Sequence, residues 1–124
     1  MQKSIVVATL TTLISVVGFG QAHADQSGMA GMHAQYTVKG RRCFSSHTHV
    51  GTGAPMRSKK AAVIAAAQDW SSFTAFEYGS SWASWNASIA KTVKCEPSGA
   101  KWSCEVQARP CLIGEGGSSR HARR

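Results

Sequence analysis

Hydrophobic and polar residues alternate along two runs near the end of the chain, on either side of Pro97-Ser98-Gly99. The apolar positions of the second run are Trp102, Cys104, Val106 and Ala108. Alternation with a period of two is typical of a β-strand that buries one face and exposes the other. Proline, serine and glycine together favour a turn between the runs. The sequence therefore predicts a β-hairpin that ends close to Cys111.

The residues before this hairpin, 80–90, fit two patterns. Their large apolar residues recur at the spacing of a helix, but over 85–95 apolar positions also alternate with polar ones. The alternation continues into the first run of the hairpin, with Lys91 as its one exception. We therefore predict a strand that begins at about Ala83.

A helical period is found in the middle of the chain. Residues 59–76 contain neither glycine nor proline, and Ser58 before them is a suitable N-cap. Their apolar stripe consists of Val63, Ala66, Ala67, Trp70 and Phe73. We expect the small alanines to bring this helix close to a sheet, with Trp70 and Phe73 filling the deeper part of the interface. Gly79 suits the residue that ends a helix.

An extended stretch, 36–50, precedes the helix, and residues 51–55 contain two glycines and a proline that favour a loop. Strand, helix and hairpin then follow one another along the chain. This order predicts an α+β fold in which one helix packs on a small antiparallel sheet, in the order β-α-β-β. One domain is expected, because about one hundred residues do not suffice for two.

The first 24 residues have the pattern of a secretory signal peptide. Lys3 precedes an apolar run at 5–19, and Ala22-His23-Ala24 places small residues where cleavage requires them. The apolar run is shorter than the roughly 20 residues of a membrane-spanning helix. We therefore predict a periplasmic or secreted protein without a transmembrane segment after cleavage. Its expected parts are a signal peptide at 1–24, a flexible arm at 25–35, a disulfide-stabilised domain at 36–113 and a disordered basic tail at 114–124.

Four cysteines lie in the predicted mature chain: Cys43, Cys95, Cys104 and Cys111. An even number in a small exported domain favours two disulfides, each contributing roughly 2–4 kcal/mol to stability. No two of them are separated by two residues, as the cysteine pairs of zinc sites are. A zinc site built on cysteine is therefore poorly supported.

The turn of the hairpin decides which cysteines can pair. A two-residue turn at 99–100 places Cys95 directly opposite Cys104, within bonding distance. A four-residue loop at 97–100 leaves these two sulfur atoms diagonal and too far apart. Four cysteines allow three pairings. The preferred one is Cys95–Cys104 with Cys43–Cys111.

The chain carries 14 basic and 6 acidic side chains, a formal charge of +8, or +7 once Lys3 is removed with the signal peptide. Such a surface attracts polyanions, although it can also serve only to keep a small protein in solution. Export argues against cytoplasmic nucleic acid, so we expect an anionic polymer, a lipid or an acidic protein as the partner. The candidate anion-binding residues surround the helix start or lie in the tail: Arg57, Lys59, Lys60, Arg120, Arg123 and Arg124.

Methionine and histidine residues indicate a metal site as an alternative function. Met29, Met32 and His33 form M-x-x-M-H, and thioether and imidazole groups suit Cu(I). His47 and His49 are two residues apart on a predicted strand and therefore project from the same face. No third ligand is visible at a useful spacing from this pair. A site for copper or another metal would use Met29, Met32, His33, His47 and His49.

Patterns typical of a catalytic site are lacking. The six carboxylates form no pair at a catalytic spacing, and oxidised cysteines cannot act as nucleophiles. We therefore predict a non-catalytic protein without a cofactor. A third hypothesis is inhibition of an exported hydrolase through the loop at 51–57.

Aromatic, glycine, cysteine and proline residues recur in a characteristic order between residues 58 and 111. They are Trp70, Tyr78-Gly79, Trp85-x-x-Ser88, Val93-x-Cys95, Cys104 and Ala108-x-Pro110-Cys111. This succession resembles a group of small exported proteobacterial proteins of unknown function, in which alanine is common where Ser88 stands here. The resemblance implies a compact secreted domain in the bacterial envelope. It implies no catalytic activity and no catalytic residue.

Overall fold

The computed structural model of the protein describes residues 29–113. The predicted signal peptide, the beginning of the predicted arm and the predicted basic tail lie outside these residues. The described chain contains one α-helix, five β-strands and two short 3-10 helices. In chain order they are the 3-10 helix Ala30–Met32, β1 (Gln35–Val38), β2 (Arg41–Phe44), β3 (His49–Thr52), α1 (Lys59–Tyr78), the 3-10 helix Ser80–Trp82, β4 (Ile89–Ser98) and β5 (Lys101–Arg109).

Helix α1 packs on a three-stranded antiparallel sheet with the strand order β3-β5-β4. Strands β1 and β2 form a separate two-stranded antiparallel sheet. The predicted α+β class is confirmed, and β3, α1, β4 and β5 follow the predicted β-α-β-β order. Across residues 29–113, no helix is both long and apolar enough to cross a bilayer.

The extended stretch predicted at 36–50 is divided into three strands. Lys39 and Gly40 have positive φ values of 47° and 78°, and they form a two-residue turn between β1 and β2. Positive φ at both central residues is the conformation of a tight hairpin turn. Residues 45–48 then lead from the small sheet to β3. His47 therefore lies in the loop before β3, whereas His49 is the first residue of that strand.

Helix α1 begins and ends where the sequence predicts. The Ser58 hydroxyl accepts a hydrogen bond from the Ala61 N–H at 3.1 Å, as an N-cap does. At the other end Gly79 has a φ of 96°, and its N–H donates to the carbonyl of Ala75 at 2.9 Å. A positive φ favours glycine, so the helix stops there at little cost in strain.

The face that α1 buries differs from the predicted stripe. The buried positions recur every four residues: Ala62, Ala66, Trp70, Thr74 and Tyr78. Phe73, which we expected in the deep interface, is 47% exposed, so that expectation is wrong. The row with a spacing of four residues runs along the side of the helix that faces the sheet, and Phe73 lies beside that row.

The helix and β3 approach each other closely at Gly51. A Cβ atom placed on Gly51 would collide with the carbonyl oxygen of Ala66 and would lie 2.6 Å from the Cβ of Trp70. The Trp70 indole is fully buried, and its Nε1–H faces the carbonyl oxygens of His49 at 3.1 Å and Ala108 at 3.3 Å. One tryptophan thus ties the helix to both β3 and β5, and it sets their relative position.

The hairpin β4–β5 has the register that the preferred disulfides require. Ser98 pairs with Lys101 across a two-residue turn at 99–100, and Gly99 has a φ of 62°. Cys95 therefore lies opposite Cys104. Both predicted disulfides, Cys95–Cys104 and Cys43–Cys111, are present. Two disulfides are typical of a protein that folds in an oxidising compartment outside the cytoplasm.

The strand predicted from Ala83 is wrong, because β4 begins only at Ile89. Residues 80–88 instead contain a 3-10 helix and a turn. The Ser84 hydroxyl accepts from the Ala87 N–H at 3.3 Å, and the Ser88 hydroxyl donates to the Trp85 carbonyl at 2.6 Å. Such local bonds from serine side chains compete with strand pairing.

A second apolar cluster lies beyond the carboxyl-terminal end of α1. It consists of Ala30, Phe44, Tyr78 and Trp82, with Leu112 packed against it. The Cys43–Cys111 disulfide closes this end of the molecule, next to hydrogen bonds from Phe44 N–H to the Pro110 carbonyl and from Leu112 N–H to the Arg42 carbonyl. The three histidines of residues 29–113 lie at the border between this cluster and the sheet.

Candidate metal centre

His49 connects the start of β3 to the last turns of α1. Its side chain is 3% exposed. The Nδ1 atom lies 3.0 Å from the Thr74 hydroxyl, and the Nε2 atom lies 2.8 Å from Oε2 of Glu77 and 3.3 Å from the Tyr78 hydroxyl. The Phe73 ring, 4.9 Å from the His49 ring between centroids, covers it from the helix side. The half-exposed Phe73 therefore contributes to the surroundings of this histidine rather than to the deep core.

Two further ligand groups lie beside His49. His47 precedes it by two residues, and the centroids of the two rings are 5.0 Å apart. One potential ligand atom from each of His47, His49 and Glu77 lies within 4.8 Å of those of the other two. We name these three residues the His47–His49–Glu77 triad. Two imidazoles and a carboxylate are a common ligand set for first-row transition metals.

The hydrogen bonds of Thr74 identify the tautomer of His49. The Thr74 hydroxyl donates to the Trp70 carbonyl at 2.7 Å, since a carbonyl oxygen can only accept. Its single proton is thereby used, so the hydroxyl must accept from Nδ1–H of His49. A neutral His49 consequently carries its lone pair on Nε2, the nitrogen that faces Glu77.

This arrangement brings two electron-rich atoms together. A neutral His49 has no proton on Nε2, and the Glu77 carboxylate oxygen 2.8 Å away has none either. The Tyr78 hydroxyl has one proton to donate, while His49 and Glu77 both present acceptors to it. A cation between His49 and Glu77, either a proton or a metal ion, removes the repulsion between their lone pairs.

The pKa values of both triad histidines favour the neutral form. Burial is the main cause that lowers the pKa of His49, and the Glu77 carboxylate opposes it without reversing the direction. The pKa of His47 is also lowered, first by burial and then by the nearby charge of His33. Neutral imidazoles are the form that binds metal ions, because a proton and a metal compete for the same lone pair.

Tyr78 remains a neutral phenol at physiological pH. Burial, followed by its hydrogen bond to Glu77 and the negative charge of Glu77, raises the pKa of Tyr78 to about 12. Its hydroxyl lies 3.0 Å from Nε2 of His33 and 3.3 Å from Nε2 of His49. It therefore serves these histidines as a hydrogen-bonding partner rather than as a phenolate ligand.

The structure brings together three of the five residues proposed for metal binding. His33 stacks on His47 with 4.2 Å between ring centroids, and His47 contacts His49. Met29 and Met32 are instead 48% and 81% exposed. The sequence did not indicate Glu77 as a metal ligand, because it lies 28 residues after His49, in helix α1 rather than in the strand. Its only sequence signal is its position beside Tyr78 in the last helical turn.

The candidate anion-binding residues of the described chain lie at the start of α1. Arg57, Lys59 and Lys60 are exposed, and the Lys59 ammonium is 5.5 Å from the centroid of the Trp102 ring. Within residues 29–113, no carboxylate forms an ion pair with these three. Lys39 and Arg42 form a second basic region at the β1–β2 turn. The other proposed anion-binding residues, Arg120, Arg123 and Arg124, lie outside the described residues.

The loop proposed as an inhibitory segment, 51–57, is tied to the domain at several points. Gly51 lies under the helix, and the Thr52 N–H donates to the Asp69 carboxylate at 2.8 Å. Met56 and Trp102 exchange two backbone hydrogen bonds, of 2.9 and 2.8 Å. Gly53 lies against the helix as Gly51 does, so residues 54 and 55 are the short exposed part between these attachments.

Comparison of the chain with protein-family models, with curated proteins and with solved structures finds no match. The resemblance to small exported proteins therefore stays a prediction.

Proposed function

We propose that this protein binds a divalent transition-metal ion through His47, His49 and Glu77. The convergence of one ligand atom from each of these three side chains, all within 4.8 Å of one another, is the observation that supports it most strongly. A bound cation also turns the contact between Nε2 of His49 and Oε2 of Glu77 into shared coordination. Imidazole nitrogens select zinc and copper over calcium and magnesium, which prefer oxygen ligands alone.

The surroundings of the triad resemble those of known metal sites in their chemistry. A metal-binding histidine usually donates its other N–H to an oxygen, which orients the ring. Thr74 accepts that bond from His49, and its own proton is held by the Trp70 carbonyl. The position of the ligand is thus connected to the tryptophan that holds the helix on the sheet.

Calorimetric titration of the purified, oxidised protein with Zn²⁺ and with Cu²⁺ tests this function. We expect saturable binding of one ion, and loss of that binding in His49→Ala and in Glu77→Gln. Thr74→Val keeps the shape of its side chain but removes the hydrogen-bond acceptor for His49, so affinity should fall about 10–100-fold. Met32→Ala, at a side chain that is 81% exposed, is the matched control and should bind as the unchanged protein does.

The affinity should be almost independent of pH between 7 and 8 and should fall as the pH decreases below about 6.5, the ordinary pKa of histidine. The lowered pKa values of His47 and His49 give this direction, because protons compete with the metal only in acid. Equal affinity in His49→Ala and the unchanged protein would exclude the triad as the site. Weaker binding in Met32→Ala than in Glu77→Gln would favour the methionine site instead.

A second candidate function is non-catalytic binding of an anionic component of the cell envelope through the basic surface. Within residues 29–113 ten basic side chains stand against four acidic ones, a net charge of +6. Exposed basic residues lie both at the start of α1 and at the β1–β2 turn. This distribution supports attraction to a polyanion, with Arg120, Arg123 and Arg124 as additional charges.

Sedimentation with vesicles that contain an anionic phospholipid tests the second candidate. Each basic residue near a charged membrane contributes roughly 1 kcal/mol, so replacing Arg57, Lys59 and Lys60 with glutamine should weaken binding at least tenfold. The same change at Arg120, Arg123 and Arg124 gives the matched comparison. Binding that persists at about 1 M salt, where charges are screened beyond about 3 Å, would rule out this electrostatic mechanism.

A further inference from the structure

His33 lies against the triad although it belongs to a different part of the chain. It follows the 3-10 helix Ala30–Met32 and precedes β1. Its ring stacks on the ring of His47 at 4.2 Å with an interplanar angle of 23°. Its Nε2 atom lies 3.0 Å from the Tyr78 hydroxyl. A third imidazole is therefore present at the edge of the proposed metal site.

The position of His33 is defined by contacts of the residues on both sides of it. Ala30 is 4% exposed in the second apolar cluster, and its carbonyl accepts from Nε2 of Gln35 at 2.7 Å. The Ala34 carbonyl accepts from the Ser45 N–H at 2.9 Å. The part of the predicted flexible arm at 29–35 is thus packed on the domain. Its contacts hold His33 over His47.

The distances from the Tyr78 hydroxyl set an upper limit on the separation between the Nε2 atoms of His33 and His49. Nε2 of His33 and Nε2 of His49 lie 3.0 and 3.3 Å from this one oxygen, so they are at most 6.3 Å apart. Two imidazole nitrogens that bind one tetrahedral ion at about 2.1 Å each lie about 3.4 Å apart. A movement of at most about 3 Å closes this difference, which is within the range of a side-chain rotation.

We infer that His33 is a further ligand to the metal ion of the His47–His49–Glu77 triad, and that the ion thereby fastens residues 29–33 to the sheet and the helix. This inference rests on the proposed metal-binding function. Three imidazoles and one carboxylate form a complete tetrahedral set for Zn²⁺ and leave no open coordination position. Such a closed site holds its metal and stabilises the segment. It does not present the ion to a substrate.

The Tyr78 hydroxyl changes its role in this arrangement. It lies within hydrogen-bond distance of Nε2 of both His33 and His49. When these nitrogens turn to a shared ion, the hydroxyl keeps the Glu77 carboxylate as its acceptor, which already hydrogen-bonds to it. A hydrogen bond to a ligating carboxylate is a common second partner in metal sites. Tyr78 is thus a positioning residue for the ion rather than a ligand.

Electron paramagnetic resonance of the Cu²⁺-loaded protein tests the inference, because nitrogen splittings count the imidazole ligands. We expect three nitrogens in the unchanged protein and two in His33→Phe. Phenylalanine preserves an aromatic ring for stacking on His47 but cannot bind metal. His33→Phe should still bind one ion, with affinity lowered about 10–100-fold, whereas Met32→Ala should change neither quantity.

Amide hydrogen exchange gives an independent measurement on the protein loaded with Zn²⁺. Exchange at residues 30–34 should slow when Zn²⁺ is added to the unchanged protein, and this slowing should be absent in His33→Phe. Two nitrogens in the unchanged protein, together with unaltered affinity in His33→Phe, would overturn the role of His33 while leaving metal binding by the triad intact. No saturable binding in the unchanged protein would overturn both proposals.

Discussion

Replacing Gly51 with alanine is expected to destabilise the fold by about 3 kcal/mol, since overpacking a tight interface costs about that much. The added methyl group would meet the main chain of α1, at the Ala66 carbonyl and the Trp70 nitrogen, which lies 2.5 Å from the Cβ position. A main-chain obstacle cannot rotate away as a side chain can. The helix must therefore move off the sheet, and Trp70 must give up contacts in the core.

Urea unfolding, followed by tryptophan fluorescence, measures this effect. Gly31→Ala is the matched control, because nothing lies within 4 Å of a Cβ atom at Gly31. We expect that control to change the free energy of unfolding by less than about 0.5 kcal/mol. Equal stability of the Gly51→Ala and Gly31→Ala proteins would show that the helix does not lie against the main chain of Gly51. Because His49 and Thr74 face each other across the same interface, Gly51→Ala should also weaken metal binding.

Removing the Cys43–Cys111 disulfide is expected to cost about 4 kcal/mol, against about 3 kcal/mol for Cys95–Cys104. The two bonds connect residues that are 68 and 9 positions apart, so the first restricts the unfolded chain more. In the folded protein, too, the Cys43–Cys111 bond restricts the chain more than Cys95–Cys104 does. Cys43–Cys111 joins β2 to the segment that follows β5, whereas Cys95–Cys104 joins two strands that already pair along their length.

Two double variants, each with both cysteines of one bond replaced by alanine, test this order by urea unfolding. Each variant replaces two cysteines with two alanines, so the two proteins lose the same number of sulfur atoms and differ only in which bond is absent. The opposite order of stability would mean that strain or residual structure in the unfolded chain outweighs loop closure. Loss of Cys43–Cys111 should also weaken metal binding more, since β2 leads directly into the loop that carries His47.

Parts of the candidate site can be found in the sequence. The two-residue spacing of His47 and His49 indicates a pair of neighbouring imidazoles, and the structure places their rings 5.0 Å apart. His33 entered the prediction for a different reason, the M-x-x-M-H pattern. Its methionines are exposed, and its histidine contacts the pair through the packing of residues 29–35. The pattern therefore identified an imidazole that packs against the pair, whereas its two methionines are exposed.

Short-range chemistry explains why much of the fold follows from the sequence alone. The Ser58 cap, the Gly79 end and the turn at 99–100 act over a few residues, so they determine the bounds of α1 and the register of the last hairpin. That register in turn determines which cysteines can meet. The sequence did not predict that 36–50 is divided into separate strands, because Lys39 adopts a positive φ at the turn between β1 and β2. It did not predict the turns at 80–88 either, because serine side chains form local hydrogen bonds there in place of strand pairing.

Only the tertiary structure decides that Glu77 meets His49. A helix of 20 residues has several faces, and its sequence alone does not determine which of them packs against a given strand. Here the choice follows from the depth at which α1 rests on Gly51 and from the two carbonyl groups that hold the Trp70 indole. These contacts turn Thr74 and Glu77 toward the start of β3. The helix and the histidine pair can be predicted from local patterns, but their meeting depends on how closely two elements pack.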